Sequence, residues 1–363
     1  MKKLQLTFLI AAALCVLSIL ASSLAIGAMA SKLNSQTAAE RWSGDGSSVA
    51  QLSAFISPEA GVARSDIERG FTKSVEQELV NASISAADDD ARLFAYSYSS
   101  EGSATLSRLN EYGRTVKSGV SARVVACGAD FFIFHPLKML SGHYFSTTDI
   151  LNDFVVIDND LAWQFFGSSD VVGRTLKING RDCYISGVCE SGRDGEYSEF
   201  YGDTPRIYVS YSFAGEILGE LPVTTVETVM TAPVGGFAMQ IFESALGADK
   251  NYTEYIENSA RFDDDSLRAL LGDYNSRGVR TKPVAYPYWE NAAVKLTDAA
   301  ALVYLFKLVP IVLLALILAA EVVIIYTKRR AIVGAVRDRI STALRNRRQN
   351  KRAKARKKGE VSA

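Results

Sequence analysis

At 363 residues, with 48% apolar and 22% charged side chains, the chain is long enough for one to three domains and too apolar to remain disordered. Two histidines and four cysteines, with no CxxC pair, leave no support for a zinc ribbon, a redox motif or a dense disulfide scaffold. The formal net charge of zero conceals a sharp partition along the chain.

Residues 4–30 form an apolar run of 27 positions, against the roughly 20 that a helix needs to span a bilayer. Lys2 and Lys3 stand before it with no acid beside them. A basic start, an apolar run and Ala28-Met29-Ala30 also resemble a secretory signal with its small-residue cleavage site. The run is about twice as long as a signal's apolar core of roughly 7–15 residues, which favours an uncleaved anchor over residues 1–30. On either reading the chain that follows lies outside the cytoplasm.

Beyond residue 30 the pattern changes to short elements. Residues 47–57 alternate polar and apolar, as a half-buried strand does. Ser65 and Glu68 have the spacing of a capping box, in which hydroxyl and carboxylate each accept an orphan backbone N–H. Ile67, Phe71, Val75 and Leu79 follow at four-residue intervals and define the apolar face of a helix ending near residue 80. Strand character returns at 92–98, 120–127 and 154–157, with a short helix over 159–166. Asn179-Gly180 between two alternating runs predicts a hairpin across 173–189. Further strands are expected at 206–211, 223–230 and 253–261, and short helices at 237–246 and 266–274. Residues 40–46 and 192–202 read as loops. Strands and helices interleave without a βαβ rhythm, so the expected class is α+β.

Three stretches invite a chemical reading. Both histidines, His135 and His143, lie among aromatics within residues 131–145. Metal sites converge several ligands on spacings such as H-E-x-x-H, whereas Pro136 and Gly142 intervene here, and no G-x-S-x-G surrounds Ser141. The expected role is a turn-rich connector with two partly exposed imidazoles. Residues 167–175 resemble a phosphate loop, but five residues separate Gly167 from Gly173 and Arg174 stands where Lys belongs. The stretch also precedes a strand rather than an anion-holding helix N-terminus. Cys183 and Cys189 fall on one predicted strand, about 20 Å apart, and cannot pair; Cys127 could pair with one of them, leaving an odd thiol. No catalytic residue, metal or cofactor is assigned, and the chain is not expected to be an enzyme.

Toward the end, Tyr286, Tyr288 and Trp289 precede a second apolar run at 308–326, within an expected membrane helix over 300–327. Aromatics so placed read as a headgroup belt, with a pocket wall as the alternative. Glu321 is the one charged residue inside either run, costly if it faces lipid. It could snorkel toward Lys328 or pair with a basic group on a partner helix. In the tail, 328–363, Ile332, Val333, Val336, Ile340 and Leu344 share a helical face, with Arg337, Arg339, Arg345 and Arg347 around the remainder. Such a basic amphipathic helix suits anionic lipid or a protein partner, and 350–358 reads as a disordered, lipid-attracted extension. A tail beside a membrane anchor argues against nucleic-acid binding.

Charge orients the chain. Residues 31–299 carry 23 Lys and Arg against 37 Asp and Glu, a net of −14, while 328–363 carry 14 against two, a net of +12. Basic flanks of membrane spans stay in the cytoplasm, so both termini are expected inside and residues 31–299 outside, in the cell membrane.

The ordered series from His135 to Tyr211 carries a resemblance. Leu140-Ser-Gly142-His-Tyr-Phe145 matches an L-x-G-x-x-F pattern, followed by Asp149, the apolar strand Val155-Val-Ile157 and a helix ending Phe166-Gly167. Asp170-Val-Val-Gly173, a short hairpin turning at Gly180, Gly187-Val188 and a strand at 206–211 complete it. This series resembles the MacB-like periplasmic core domain of FtsX-type ABC transporter permeases. The resemblance implies a mixed extracytoplasmic domain between two transmembrane helices, with Leu140, Gly142, Phe145, Phe166, Gly167, Asp170, Gly173 and Gly180 as structural motif residues. Those permeases continue with two more spans, whereas this chain is expected to end in its tail with no ATPase domain attached. What is implied is an accessory or truncated permease-like subunit beside a separate ABC ATPase and a fuller permease, with a homo-oligomer also open. In that family ATP-driven motion reaches the outer domain, which engages partner or cargo. Partner contact is expected at Glu321, Ile332, Val336, Arg337, Ile340 and Leu344. The alternative is a membrane-anchored sensing or ligand-binding domain; an exported enzyme is the least supported.

Overall fold

The computed structural model of the chain describes residues 2–43, 48–84, 92–110, 112–146, 152–194, 198–273 and 281–360, with the backbone alone at 2–5, 328, 330–339 and 346–360. They divide into two compact units: Ala25–Tyr304, here the central unit, and Met1–Leu24 with Leu305–Ala363, the terminal unit.

Helix α1 (Lys2–Ala30) opens the chain, and α2 (Ala38–Ser43) leads into β1 (Val49–Ile56). A π-helical turn at Asp66–Phe71 runs into α3 (Thr72–Asn81). Strands β2 (Phe94–Leu109) and β3 (Thr115–Ala129) form a long hairpin, followed by α4 (Phe131–Phe134), β4 (Met139–Gly142) and β5 (Phe154–Asp158). Then come α5 (Asn159–Phe166), β6 (Thr175–Ile178), β7 (Arg181–Cys189) and α6 (Ser198–Tyr201). Next are β8 (Arg206–Ser210), α7 (Tyr211–Leu218), β9 (Thr225–Thr231) and α8 (Phe237–Leu246). The chain closes with β10 (Thr253–Glu257), α9 (Asp264–Gly272) and α10 (Tyr288–Glu360).

The ten strands make one sheet in the order β10-β1-β9-β2-β3-β8-β5-β7-β4, with β6 pairing both β2 and β7. Only β3–β8 and β5–β7 run parallel, so the class is α+β with a mixed sheet. One face is covered by a core joining Ile67, Phe71, Val75 and Leu79 to Phe165, Phe213 and Phe242. A smaller cluster of Val125, Cys127, Phe131, Val156, Tyr208 and Trp289 packs at the opposite pleat.

Local signals account for several boundaries. Asp158 is extended (ψ 159°) and accepts the Leu161 N–H at 3.0 Å, while Gly167 ends α5 at φ 69°, so both ends of the helix are capped. Asn179 (φ 48°) and Gly180 (φ 85°) supply the two left-handed positions of the β6–β7 turn.

Elsewhere the structure corrects the expectation. Ser65 is already helical (φ −61°, ψ −31°) and makes no capping bond, because Glu68 is engaged by Arg64 and by the Tyr98 hydroxyl. Asp66 Oδ2 accepts the Ala63 N–H at 2.9 Å instead. The 92–98 and 120–127 strands extend into a ladder from Ser97–Ala129 to Leu109–Thr115, since pairing compensates for the poor alternation of the Ser- and Gly-rich stretch. All four cysteines are free and buried. Cys127 on β3 is separated from Cys183 and Cys189 on β7 by β8 and β5, roughly 14 Å at the usual strand spacing and beyond disulfide reach. Helix α2 and the helical turns at 192–194 and 198–201 occupy parts of the two expected loops. Helix α10 runs unbroken through 350–358, where Lys, Arg and Ala of high helix propensity follow Asn350 and no proline intervenes. Two helical segments, Leu6–Ala30 and Tyr288–Thr327, are long and apolar enough to cross a membrane.

Candidate functional site

Strand register builds a polar row in the middle of an otherwise apolar sheet. Glu227 on β9 lies opposite Ser53 on β1 and opposite Ser97 on β2, so all three share one face. The Ser53 hydroxyl donates to Glu227 Oε1 at 2.9 Å, and the Ser97 hydroxyl lies 3.4 Å from Oε2. His135, placed by the turn after α4, brings Nε2 against the same Oε2. The imidazole is 3% exposed, and the expectation of a partly exposed ring fails because it has a carboxylate to meet inside. His143 is exposed, its Nδ1 2.8 Å from the Tyr144 carbonyl.

The row continues away from the histidine. Asn258 Nδ2 donates to the Ser53 hydroxyl at 2.7 Å, and its Oδ1 accepts from Arg261 Nη2 at 3.1 Å. That Nη2 also reaches Glu290 Oε1 and Oε2 at 2.9 and 2.8 Å. Glu290, fully buried, belongs to the first turn of α10. A continuous chain of contacts therefore leads His135–Glu227–Ser53–Asn258–Arg261–Glu290. Arg261 and Glu290 are buried as an opposite pair, so removing one leaves the other uncompensated.

Aromatic packing seats the same turn. The Trp289 ring centroid lies 4.2 Å from that of His135 and 6.2 Å from that of Phe131. The Tyr288 ring contacts Tyr201 edge-on at 5.0 Å. The buried Arg206 guanidinium sits 3.8 Å from the Tyr201 ring and 4.4 Å from the Tyr288 ring. Tyr286 packs on Phe55 of β1 at 5.2 Å. These contacts depart from the headgroup-belt expectation: Trp289 is buried and Tyr288 partly buried in the central unit's own core, while Tyr286 lines a cleft beside β10, the pocket-wall alternative. At the other end of the chain, Gln51 of β1 accepts the Ala38 N–H (2.8 Å) and donates to the Ser35 carbonyl (2.6 Å), holding the segment after α1 to the same sheet.

Beside the relay, Asp158 carries an unusual proton affinity. Its Oδ2 accepts the Arg206 N–H at 2.8 Å and faces the Tyr201 hydroxyl at 3.4 Å. Burial outweighs these donors and pushes the carboxyl up to about 6. Burial likewise raises the Cys127 and Cys183 thiols, the latter to about 12, so neither is a nucleophile. Among the described residues no group of three or more His, Cys, Asp or Glu converges as metal ligands.

Of the motif residues, Phe145 packs in the cluster of Phe131 and Trp289 that seats His135. Gly142 (φ 71°) approaches β7 so closely that a Cβ would stand 2.1 Å from the Ser186 carbonyl. Phe145 is buried, whereas Leu140 is 45% exposed and anchors nothing, because β4 is an edge strand that turns it outward. Arg108 lies over the Phe166 ring at 4.4 Å; Gly167 and Gly173 (φ 79°) are left-handed turn positions, and Asp170 is exposed. Asp149 falls outside the described residues. Glu321, Ile340 and Leu344 lie on α10, the last two exposed; the side chains of Ile332, Val336 and Arg337 are not among those described. The relay residues were missed by the sequence reading, and one signal pointed to them: Glu227 is a single carboxylate inside the apolar strand Val226–Met230.

A family model described as the MacB-like periplasmic core domain matches residues 6–246. Among solved structures, the periplasmic region of MacB from Actinobacillus actinomycetemcomitans is similar at 15% identity, covering 61% of this chain and 92% of that one, with a TM-score of 0.39. The extracellular domain of the noncanonic ABC-type transporter YknZ from Gram-positive bacteria is similar at 13% identity, covering 57% of this chain and 99% of that one, with a TM-score of 0.36. Comparison with curated proteins gives no match.

Proposed function

The chain belongs to the MacB-like periplasmic core domain family, and from that premise we propose that it is a membrane subunit of an ABC-type transport assembly. The family match over residues 6–246, with apolar helices Leu6–Ala30 and Tyr288–Thr327 at either end of the central unit, carries this reading. In it, residues 1–30 and 300–327 cross the membrane, 31–299 lie outside, and the basic 328–363 tail lies in the cytoplasm against anionic lipid or a partner. The subunit is an accessory one, working with a separate ATPase and a fuller permease.

The relay supplies the working part. Helix α10 carries Glu290 in its first turn and the apolar span further along. Displacement of that turn must either drag Asn258, Ser53 and Glu227 or break a buried ion pair. The outer domain thereby senses or transmits helix motion, and its own surfaces engage cargo or partner. Affinity purification of the tagged chain from membranes is expected to recover an ABC ATPase and a permease. Recovery of neither overturns the reading. Glu321→Leu is expected to lower that recovery at least threefold if Glu321 pairs across a helix interface, and unchanged recovery removes Glu321 from it.

A further inference from the structure

Among the described residues, strand β10 pairs only with β1 and forms an edge of the sheet. Asn258 N–H points inward to the Gln51 carbonyl at 2.8 Å, so by strand alternation the backbone groups of Thr253, Tyr255 and Glu257 point outward. The Thr253 carbonyl is taken by Lys282 Nζ at 2.6 Å. The backbone N–H and C=O groups of Tyr255 and Glu257 have no hydrogen-bond partner among the described residues. Natural sheets usually cover such an edge or blunt it. Here it opens on a cleft of about 590 Å³ walled by the apolar Ile256, Leu270 and Val294 and by the ion pairs Arg261–Glu290 and Lys282–Glu254. That volume lies within the range of roughly 300–1,000 Å³ typical of ligand clefts.

From this edge and its cleft, we propose that β10 takes an extended, basic segment of a partner protein as an added antiparallel strand. Backbone pairing at Tyr255 and Glu257 supplies the ladder. Side chains of an added strand alternate between faces. Those on the cleft side meet Ile256, Leu270 and Val294 and are apolar. Those on the opposite face lie beside Glu257, which borders the cleft, alternates away from Ile256 and has no ion pair among the described residues, and they are basic. Glu254, by contrast, is already paired with Lys282 at 3.1 Å. Charge also decides against a second copy as the occupant. Antiparallel pairing of two β10 strands about Tyr255 sets Glu257 opposite Thr253 and Glu254 opposite Ile256; the repulsion comes from bringing together two regions of net charge −14. The inference stands on the edge geometry and is independent of the transport reading.

The test uses the full chain in detergent and a fluorescent, end-blocked heptapeptide alternating Lys and Val, read by anisotropy at low salt. Saturable binding is expected, at least tenfold tighter than for the Glu/Val heptapeptide. The expected loss is also at least tenfold for a Lys/Val peptide N-methylated at alternate backbone nitrogens, which keeps charge and removes donors. Glu257→Lys, a surface change that leaves the melting temperature in place, is expected to weaken binding at least tenfold. Equal binding of the N-methylated peptide, or no effect of Glu257→Lys, overturns the proposal. So does dimerisation of the protein that Glu257→Lys abolishes while no peptide binds, since the edge then belongs to a second copy.

Discussion

At Asp158, a carboxyl fully buried between β5 and α5 is held by the backbone N–H groups of Leu161 and Arg206. Folding raises its proton affinity from the ordinary 3.8 to about 6, so the folded state binds this proton more tightly than the unfolded chain. Its contribution to stability is therefore greatest below about pH 4, declines as pH rises to about 6, and is constant above. The change is on the order of 3 kcal/mol. Asp158→Asn keeps one acceptor and cannot titrate. Melting temperatures taken from pH 4 to 7 are expected to show this downward component in the native chain and to lack it in the variant. An identical pH profile in the two proteins refutes the assignment. The capping role of Asp158 is set locally, by an acid one residue before α5. Its raised proton affinity is not, because Arg206 and Tyr201 approach from more than 40 residues away.

Among the elements, the first turn of α10 shows most clearly how context overrides a local reading. The same Tyr-Pro-Tyr-Trp-Glu sequence fits an interfacial belt by composition and a core plug by contact. Arg261 decides between them by offering Glu290 a buried partner at 2.8–2.9 Å. Glu290→Ala leaves a buried guanidinium uncompensated, and a loss of roughly 3–5 kcal/mol is expected. For a unit of this size that corresponds to a fall in melting temperature of about 10 °C. The double variant Arg261→Met/Glu290→Leu removes both charges at similar volume and is expected to regain most of the loss. If the double variant melts as low as the single one, packing rather than charge holds the turn. Other elements were legible from local pattern alone: α5 lies at 159–166 and α8 at 237–246, each with its expected bounds. The β2–β3 hairpin was only partly so, since its Ser- and Gly-rich middle gains strand character from pairing rather than from its own alternation.

For the whole molecule, charge and hydropathy make a topological prediction that can be tested with exposed positions. Tyr112, at the tip of the β2–β3 hairpin, is 79% exposed, and Leu344 on α10 is 54% exposed. The native thiols are buried and contribute little background. A membrane-impermeant maleimide is expected to label Tyr112→Cys in intact cells and Leu344→Cys only after permeabilisation. The reverse pattern rejects the orientation assigned from the net charges of −14 and +12.

What the sequence determined by itself is whatever physics acts over a few neighbouring residues. Bilayer-length apolar runs, the basic tail, the bounds of α5, the Asn179-Gly180 turn and the ordered motif between Leu140 and Gly180 all fall in that class. Tertiary structure alone decided the fate of His135, Glu227 and Glu290, the free state of the cysteines and the inward packing of Tyr288 and Trp289. His135 and Glu227 are 92 positions apart, and Ser53 and Glu227 are 174 apart. No periodicity or spacing reports a contact of that range; strand register creates it, and burial of the polar groups then obliges them to find one another.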